Sequence, residues 1–219
     1  MKIDVLGNGY IELIDSMGDD LSIVNAAKVS FNKEAKKLGK DELKLLKYLY
    51  DHKHTTPFEM VEFKFRVKLP LFVIRQWHRH RTWSYNEISR RYTSDEIDFY
   101  YPTLWRKQST SNKQGSDGFC DPVTSDYAKS KLSIITTIAL ENYNDLIKLG
   151  ACREQARMML PQNMMTIMIA KVDLHNLLHF LKLRTDTHAQ WEIRQYAEAI
   201  EKLIDPIVPE TMKLYRDGK

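Results

Sequence analysis

The sequence predicts an α/β fold of the α+β type, with a central, largely antiparallel sheet flanked by long helices, in one domain spanning 1–219. Three observations predict it. Val61, Phe63, Phe65, Val67 and Leu69 alternate with Glu62, Lys64, Arg66 and Lys68, the period of a strand with one core face and one polar face. Lys2–Leu6 and Tyr10–Ile14 flank Gly7-Asn8-Gly9, a hairpin pattern. A long helical stretch runs from Ser125 or Asp126 to Leu149, where Gly150 can close it as a left-handed cap.

The other elements follow in order. Asp19 and Asp20 can cap a helix that ends near Lys28, and Asp41 can cap the next, with Leu43, Leu46 and Tyr50 at helical spacing. Thr56 before Pro57 reads as an N-cap followed by a proline at the first helical position. Pro70 stops the strand of residues 61–69 and opens a short helix, Leu71–His78. Gln108–Asp121 is rich in Ser, Asn, Gly and Lys, without period, and reads as a flexible surface insertion. Arg153–Leu160 predicts a helix stopped by Pro161, and Met164–Val172 a buried strand. Asp173 can cap Leu174–Leu183, and Asp186 or Thr187 can cap a last helix to about Ile204.

Composition narrows the function. A net charge of +4 permits an anionic ligand without calling for DNA. The two cysteines, Cys120 and Cys152, form no CxxC pair. That argues against structural zinc and for a reducing, cytoplasmic setting, or a host cytoplasm for a phage-encoded chain. The N-terminus lacks the apolar core of a signal peptide, and no run of about 18 apolar residues predicts a membrane span.

One stretch concentrates the chemistry. Gln76–Tyr92 reads QWHRHRTWSYNEISRRY, and with Arg75 it holds five arginines, two histidines and one carboxylate, Glu87. Like charges so close repel, and Arg is rarely buried without a partner. Phosphate groups would relieve the repulsion, because the guanidinium fork matches phosphate oxygens. A solvated basic face, or a strip that touches nucleic acid, explains the charge equally well. Beginning on a helix, the stretch is expected to run out into a loop.

The chain resembles the flavin-dependent thymidylate synthases. Arg79-His80-Arg81, then seven residues, then Ser89 is that family's signature, with R-Q-W before it and R-Y after it. The resemblance extends to H-x-T-P-F-E at His54–Glu59, A-R-x-x-L-P at Ala156–Pro161 and L-R-x-D-x-H-A-Q-W-E-I at Leu183–Ile193. It implies conversion of dUMP to dTMP. Methylenetetrahydrofolate would supply the carbon, and bound FAD, reduced by NADPH, the hydride. The enzyme would be a homotetramer with active sites shared between subunits, and no membrane or nucleic-acid partner is expected.

Position by position, the resemblance implies dUMP contacts at Gln76, Arg79, Glu87, Ser89, Arg90, Arg91, Arg157 and Arg184. It implies FAD contacts at His54, Thr56, Arg79, His80, Arg81, Glu87, Asp173, Leu174, His175 and His179. Arg184 matches the residue that stabilises the uracil ring ionised at N3, an electrostatic role, since Arg stays protonated. The sequence departs from the family pattern at Arg90, where a small residue is common, and at Asp173-Leu174-His175, where Asn-x-Arg is expected. Asp173 would repel a phosphate, which directs its contact to ribose, adenine or a helix backbone. The other kind of thymidylate synthase uses a cysteine nucleophile, and neither Cys120 nor Cys152 has a neighbourhood that suggests one.

Two other readings compete with this one. Trp83, Tyr85 and Tyr92 interleave with the arginines as nucleic-acid stacking platforms would. His175 and His179 have a zinc spacing but lack the Glu of H-E-x-x-H, so an ordinary helix face is the better account and no metal is expected.

Overall fold

In the computed structural model, which describes residues 1–94 and 97–218, the sheet has five strands in the order β1-β2-β3-β7-β4. These are β1 Lys2–Val5, β2 Gly9–Met17, β3 Glu62–Pro70, β4 Ser84–Glu87 and β7 Met165–Asp173, every neighbouring pair antiparallel. The predicted hairpin is present, turning through Leu6 and Gly7 at φ 57° and 79°.

The alternation in β3 organises the core. Phe63, Phe65, Val67 and Leu69 pair across the ladder with Val172, Ala170, Met168 and Thr166. All eight side chains are buried, because strands in register send opposite residues to one face. Against that face pack α4 (Leu71–Trp77), α7 (Leu174–Arg184) and α8 (Trp191–Ile204), the last through Ile193, Tyr196, Ala197 and Ile200. Glu62, Lys64, Arg66 and Lys68 occupy the other, more open face.

The N-terminal helices, α1 (Asp20–Lys28) and α2 (Lys40–Asp51), join the core through Ile23, Val24, Leu46 and Leu49. The α1 cap is Asp19, as expected, with Oδ1 accepting from Ser22 N–H at 2.8 Å. In α2 the cap is Gly39 rather than Asp41, because Glu42 reaches back to accept from Gly39 N–H at 3.2 Å. The four-residue α3 (Thr56–Glu59) is preceded by Thr55, so Thr56 is its first residue and not its cap.

Other boundaries also moved. The long helix α5 (Pro122–Lys148) begins before Ser125, since Asp121 and Pro122 are its cap and first residue; Asp121 Oδ1 accepts from Thr124 N–H at 2.9 Å. Residues 108–121 contain the second half of a small hairpin, β5 (Arg106–Gln108) with β6 (Ser116–Phe119). Arg153–Leu160 is a short helix, α6 (Arg153–Ala156), followed by a 3-10 turn. The last predicted helix starts at Trp191, because Asp186 spends its carboxylate on a turn, accepting from His188 N–H at 2.7 Å.

A further helix, α9 (Pro209–Asp217), was not predicted. Its own first turn has no side-chain cap. The buried carboxylate of Asp20 caps it from α1, accepting from Glu210 N–H at 2.8 Å, Thr211 N–H at 3.1 Å and the Thr211 hydroxyl at 2.5 Å. Nothing local to residues 209–217 signals that partner.

Candidate active site

The basic stretch is not a helix followed by a loop. Gln76 and Trp77 end α4, residues 78–83 turn, and Ser84–Glu87 form β4 at the sheet edge, paired to β7. Tyr85 holds this arrangement, donating its hydroxyl to the carbonyls of His80 (2.9 Å) and Trp77 (3.2 Å). Trp83 is 5 % exposed and meets Trp77 edge-on with ring centroids 5.5 Å apart. It belongs to the core, so the stacking-platform reading loses its central ring and half of the next; only Tyr92 stands in solvent.

At the centre is Arg184, on the last turn of α7. Its Nε donates to His80 Nε2 at 3.0 Å and its Nη2 to the Gln76 carbonyl at 3.2 Å. No described carboxylate lies in ion-pair range of it. Burial lowers the guanidinium pKa, but far too little to deprotonate an Arg. His80 is 8 % exposed and sits edge-on to His179, with centroids 6.0 Å apart. Burial first, then the charge of Arg184 and then His179, push its pKa from 6.5 down to about 4. His80 is therefore neutral near pH 7. Since Nε2 accepts from Arg184, its proton resides on Nδ1. A half-buried cation is thus held by two neutral acceptors, and its charge is left uncancelled.

Two clefts hold most of the other predicted residues. One, of about 320 Å³, is lined by Glu87, Ser89, Arg90 and Arg157, with Thr166 and Leu71. Thr166 donates to Glu87 Oε1 at 2.6 Å, and Arg90 is 7 % exposed. The other, of about 510 Å³, is lined by His54, Thr55, His175, His179 and Lys182, with Tyr50 among its apolar walls.

The family model described as "Thymidylate synthase complementing protein" matches residues 12–210. A flavin-dependent thymidylate synthase of Thermus thermophilus is 49 % identical over 209 residues, covering 95 % of this chain and 76 % of the relative. The chain belongs to the flavin-dependent thymidylate synthases. A member from Wolbachia pipientis wMel is 50 % identical over 207 residues, 94 % of this chain and 72 % of that one. Among solved structures, the UMP/dUMP methylase PolB of Streptomyces cacaoi bound with 5-Br dUMP superposes with a TM-score of 0.88 at 31 % identity, over 98 % of this chain and 97 % of that one.

Within this flavin-dependent synthase the remaining expected residues scatter. Arg79 and Arg81 are exposed and line neither cleft; Arg91 is also exposed and pairs with Glu154 at 3.1 Å. Thr56 is exposed, and Thr55 lines the cleft in its place. Asp173 spends its carboxylate on α7, accepting from Asn176 N–H at 2.9 Å and Nδ2 at 2.7 Å, the helix-backbone contact among its expected options. Leu174 presents no side chain to a cleft: it is fully buried, and its N–H donates to the Val61 carbonyl at 2.8 Å.

Three neighbours were not anticipated. Thr166 lies inside a strand that reads as plain core. Gln190 and Glu192 stand in the quoted 183–193 motif, which was a usable signal, and Gln76 Nε2 donates to Gln190 Oε1. The larger cleft carries two lysines, Lys53 and Lys182, and one carboxylate, Asp51, beside its three histidines; lysines are the groups there that could pair with a diphosphate.

Proposed function

We propose that the chain catalyses the reductive methylation of dUMP to dTMP, with methylenetetrahydrofolate as carbon donor and NADPH as reductant of bound FAD. The observation that supports this most directly is Arg184, an uncancelled, half-buried cation anchored by His80 and the Gln76 carbonyl. Beside uracil it would favour the ring ionised at N3, which pushes electron density onto C5, the carbon to be methylated. At about 4 Å and an effective dielectric near 20, one such charge is worth about 4 kcal/mol. A carboxylate partner would have removed most of that. The Nη1 group makes no hydrogen bond to any described residue and is the natural donor to a ring oxygen or nitrogen.

On this reading, the cleft of Glu87, Ser89, Arg90 and Arg157 takes the dUMP phosphate and ribose, with Gln76, Arg79 and Arg91 completing the nucleotide contacts. The cleft of His54, Thr55, His175 and His179 takes FAD, joined by Thr56, Arg79, His80, Arg81, Glu87, Asp173 and Leu174 as the family pattern has it. When bound, the flavin supplies the hydride. The protein's part is to hold the nucleotide, keep Arg184 charged and His80 neutral, and exclude water. No thiol is required: Cys152 is exposed, with Sγ 3.5 Å from Gln155 Oε1, and Cys120 follows the small hairpin.

Assembly as a homotetramer with shared sites fits two observations. Within one chain the expected residues divide between separate clefts and open surface. The long helix α5 leaves Ile134, Ile135 and Ile138 each at least 50 % exposed, and such an apolar helix face marks an interaction surface. Among the described residues no helix is long and apolar enough to cross a membrane.

The test is tritium release from C5-labelled dUMP with FAD, NADPH and methylenetetrahydrofolate supplied, alongside flavin absorbance and solution mass. Release that requires flavin, from a tetramer of the 25.8 kDa chain, is expected. A protein that neither binds flavin nor releases tritium would overturn the assignment.

A further inference from the structure

The small hairpin β5–β6, whose second strand lies in the segment 108–121 that reads in the sequence as a flexible insertion, reaches the site through a line of side chains. One terminal nitrogen of Arg106, Nη2, lies 2.8 Å from both carboxylate oxygens of Glu192, which is 3 % exposed. Arg106 is itself braced: Nε donates to Ser116 Oγ across the hairpin at 3.1 Å, and the guanidinium stands 5.5 Å from the Trp191 ring centre. Gln190 Nε2 donates to Glu192 Oε2 at 2.9 Å, and Gln76 Nε2 donates to Gln190 Oε1.

The order of donors along this line is forced. A carboxylate paired with Arg can only accept, so Gln190 must turn its NH2 toward Glu192. Its carbonyl oxygen then faces Gln76, and Gln76 must answer with its own NH2. An isolated glutamine amide can stand either way round; here one buried charge sets both. The Gln76 side-chain oxygen is left as the end that points away from the relay, and its backbone carbonyl already receives Arg184.

We propose that Arg106, Glu192 and Gln190 form a positioning relay that fixes the Gln76 carboxamide with its carbonyl oxygen, not its NH2, toward the bound nucleotide. Resting on the dUMP reading above, this assigns Gln76 the task of accepting from a donor of the nucleotide. Apart from its phosphate, dUMP has two donors, the 3′-hydroxyl and N3–H. An acceptor opposite N3 would oppose the ionisation that Arg184 favours, so the 3′-hydroxyl is the better match. On this proposal Arg106, Glu192 and Gln190 act through Gln76 rather than by touching the nucleotide.

Two variants test it. Glu192→Gln can donate to Gln190, which lets both amides turn round. Gln190→Met cuts the line while leaving the Arg106–Glu192 pair intact, and so covers the case in which the first variant fails to fold. Binding of dUMP, 3′-deoxy-dUMP and N3-methyl-dUMP is measured by calorimetry. Wild type is expected to bind 3′-deoxy-dUMP about tenfold more weakly than dUMP, the size of one good hydrogen bond. Each folded variant should bind dUMP about tenfold more weakly and no longer discriminate the two, with kcat at saturating dUMP changing less than KM.

A variant that discriminates as wild type does would overturn the relay. Discrimination against N3-methyl-dUMP alone would overturn the 3′-hydroxyl assignment. If wild type does not bind dUMP at all, the functional reading falls, and amide exchange of the 15N-labelled Gln76 side chain still judges the relay. Slower exchange in wild type than in Gln190→Met supports it, and equal rates overturn it.

Discussion

Acid should loosen this protein through His80 before its carboxylates titrate. Folded, His80 has a pKa near 4, against 6.5 when unperturbed. As pH falls below 6.5 the unfolded chain takes up this proton first, so the folded state loses stability until pH passes the folded value. The contribution is fully present above about pH 6.5 and lost on the way to 4. For values of 6.5 and about 4, the loss at pH 5 is at most about 2 kcal/mol. In a chain of this size that corresponds to a fall in Tm of about 4–8 °C.

The control is His80→Gln, whose amide oxygen can still accept from Arg184 but does not titrate. Urea unfolding at pH 7.5, 6, 5.5 and 5 should show wild type losing about 2 kcal/mol more than the variant over this range. Shifted carboxylates such as Asp98 and Glu42 are common to both proteins and cancel. Parallel stability curves would show that His80 is not held neutral by burial and Arg184, and the account of an uncancelled charge would fall with it.

Arg184→Ala should still bind dUMP but release tritium from C5 about 100-fold to 1000-fold more slowly, the range for removing one preorganised electrostatic donor; full activity would remove the role assigned to it. A Cys120→Ala, Cys152→Ala double variant should keep flavin-dependent turnover, and loss of turnover in a normally folded protein would point to a thiol. Asp20→Ala should cost about 2–3 kcal/mol in urea unfolding, because it strands the Glu210 and Thr211 donors that Asp20 now satisfies; a cost below about 0.5 kcal/mol, within the range of an ordinary surface substitution, would mean that water caps α9 instead.

Much of the frame was legible because it rests on short-range periodicity. Phe63, Phe65, Val67 and Leu69 had to share one face of β3 whatever its neighbours were, and Asp19 and Asp173 announced the helices they cap. Boundaries failed where a local signal had rivals: Asp41 yielded to Gly39 with Glu42, and Asp186 was drawn into a turn. Trp83 looked like a surface ring because arginines flank it, yet the fold turns it inward against Trp77 and Phe180.

By itself, the sequence determined the family, the main strands and most of the groups that gather at the site, because motif spacing and side-chain period are written along the chain. Only the tertiary structure decided what those groups do to one another. That His80 is neutral depends on the burial that α7 and α4 impose on it and on a guanidinium 104 positions away. That Gln76 stands one way round depends on a carboxylate in α8 and an arginine in a hairpin that had no readable pattern. Charge, burial and hydrogen-bond direction are properties of neighbours in space, and no local spacing of residues records them.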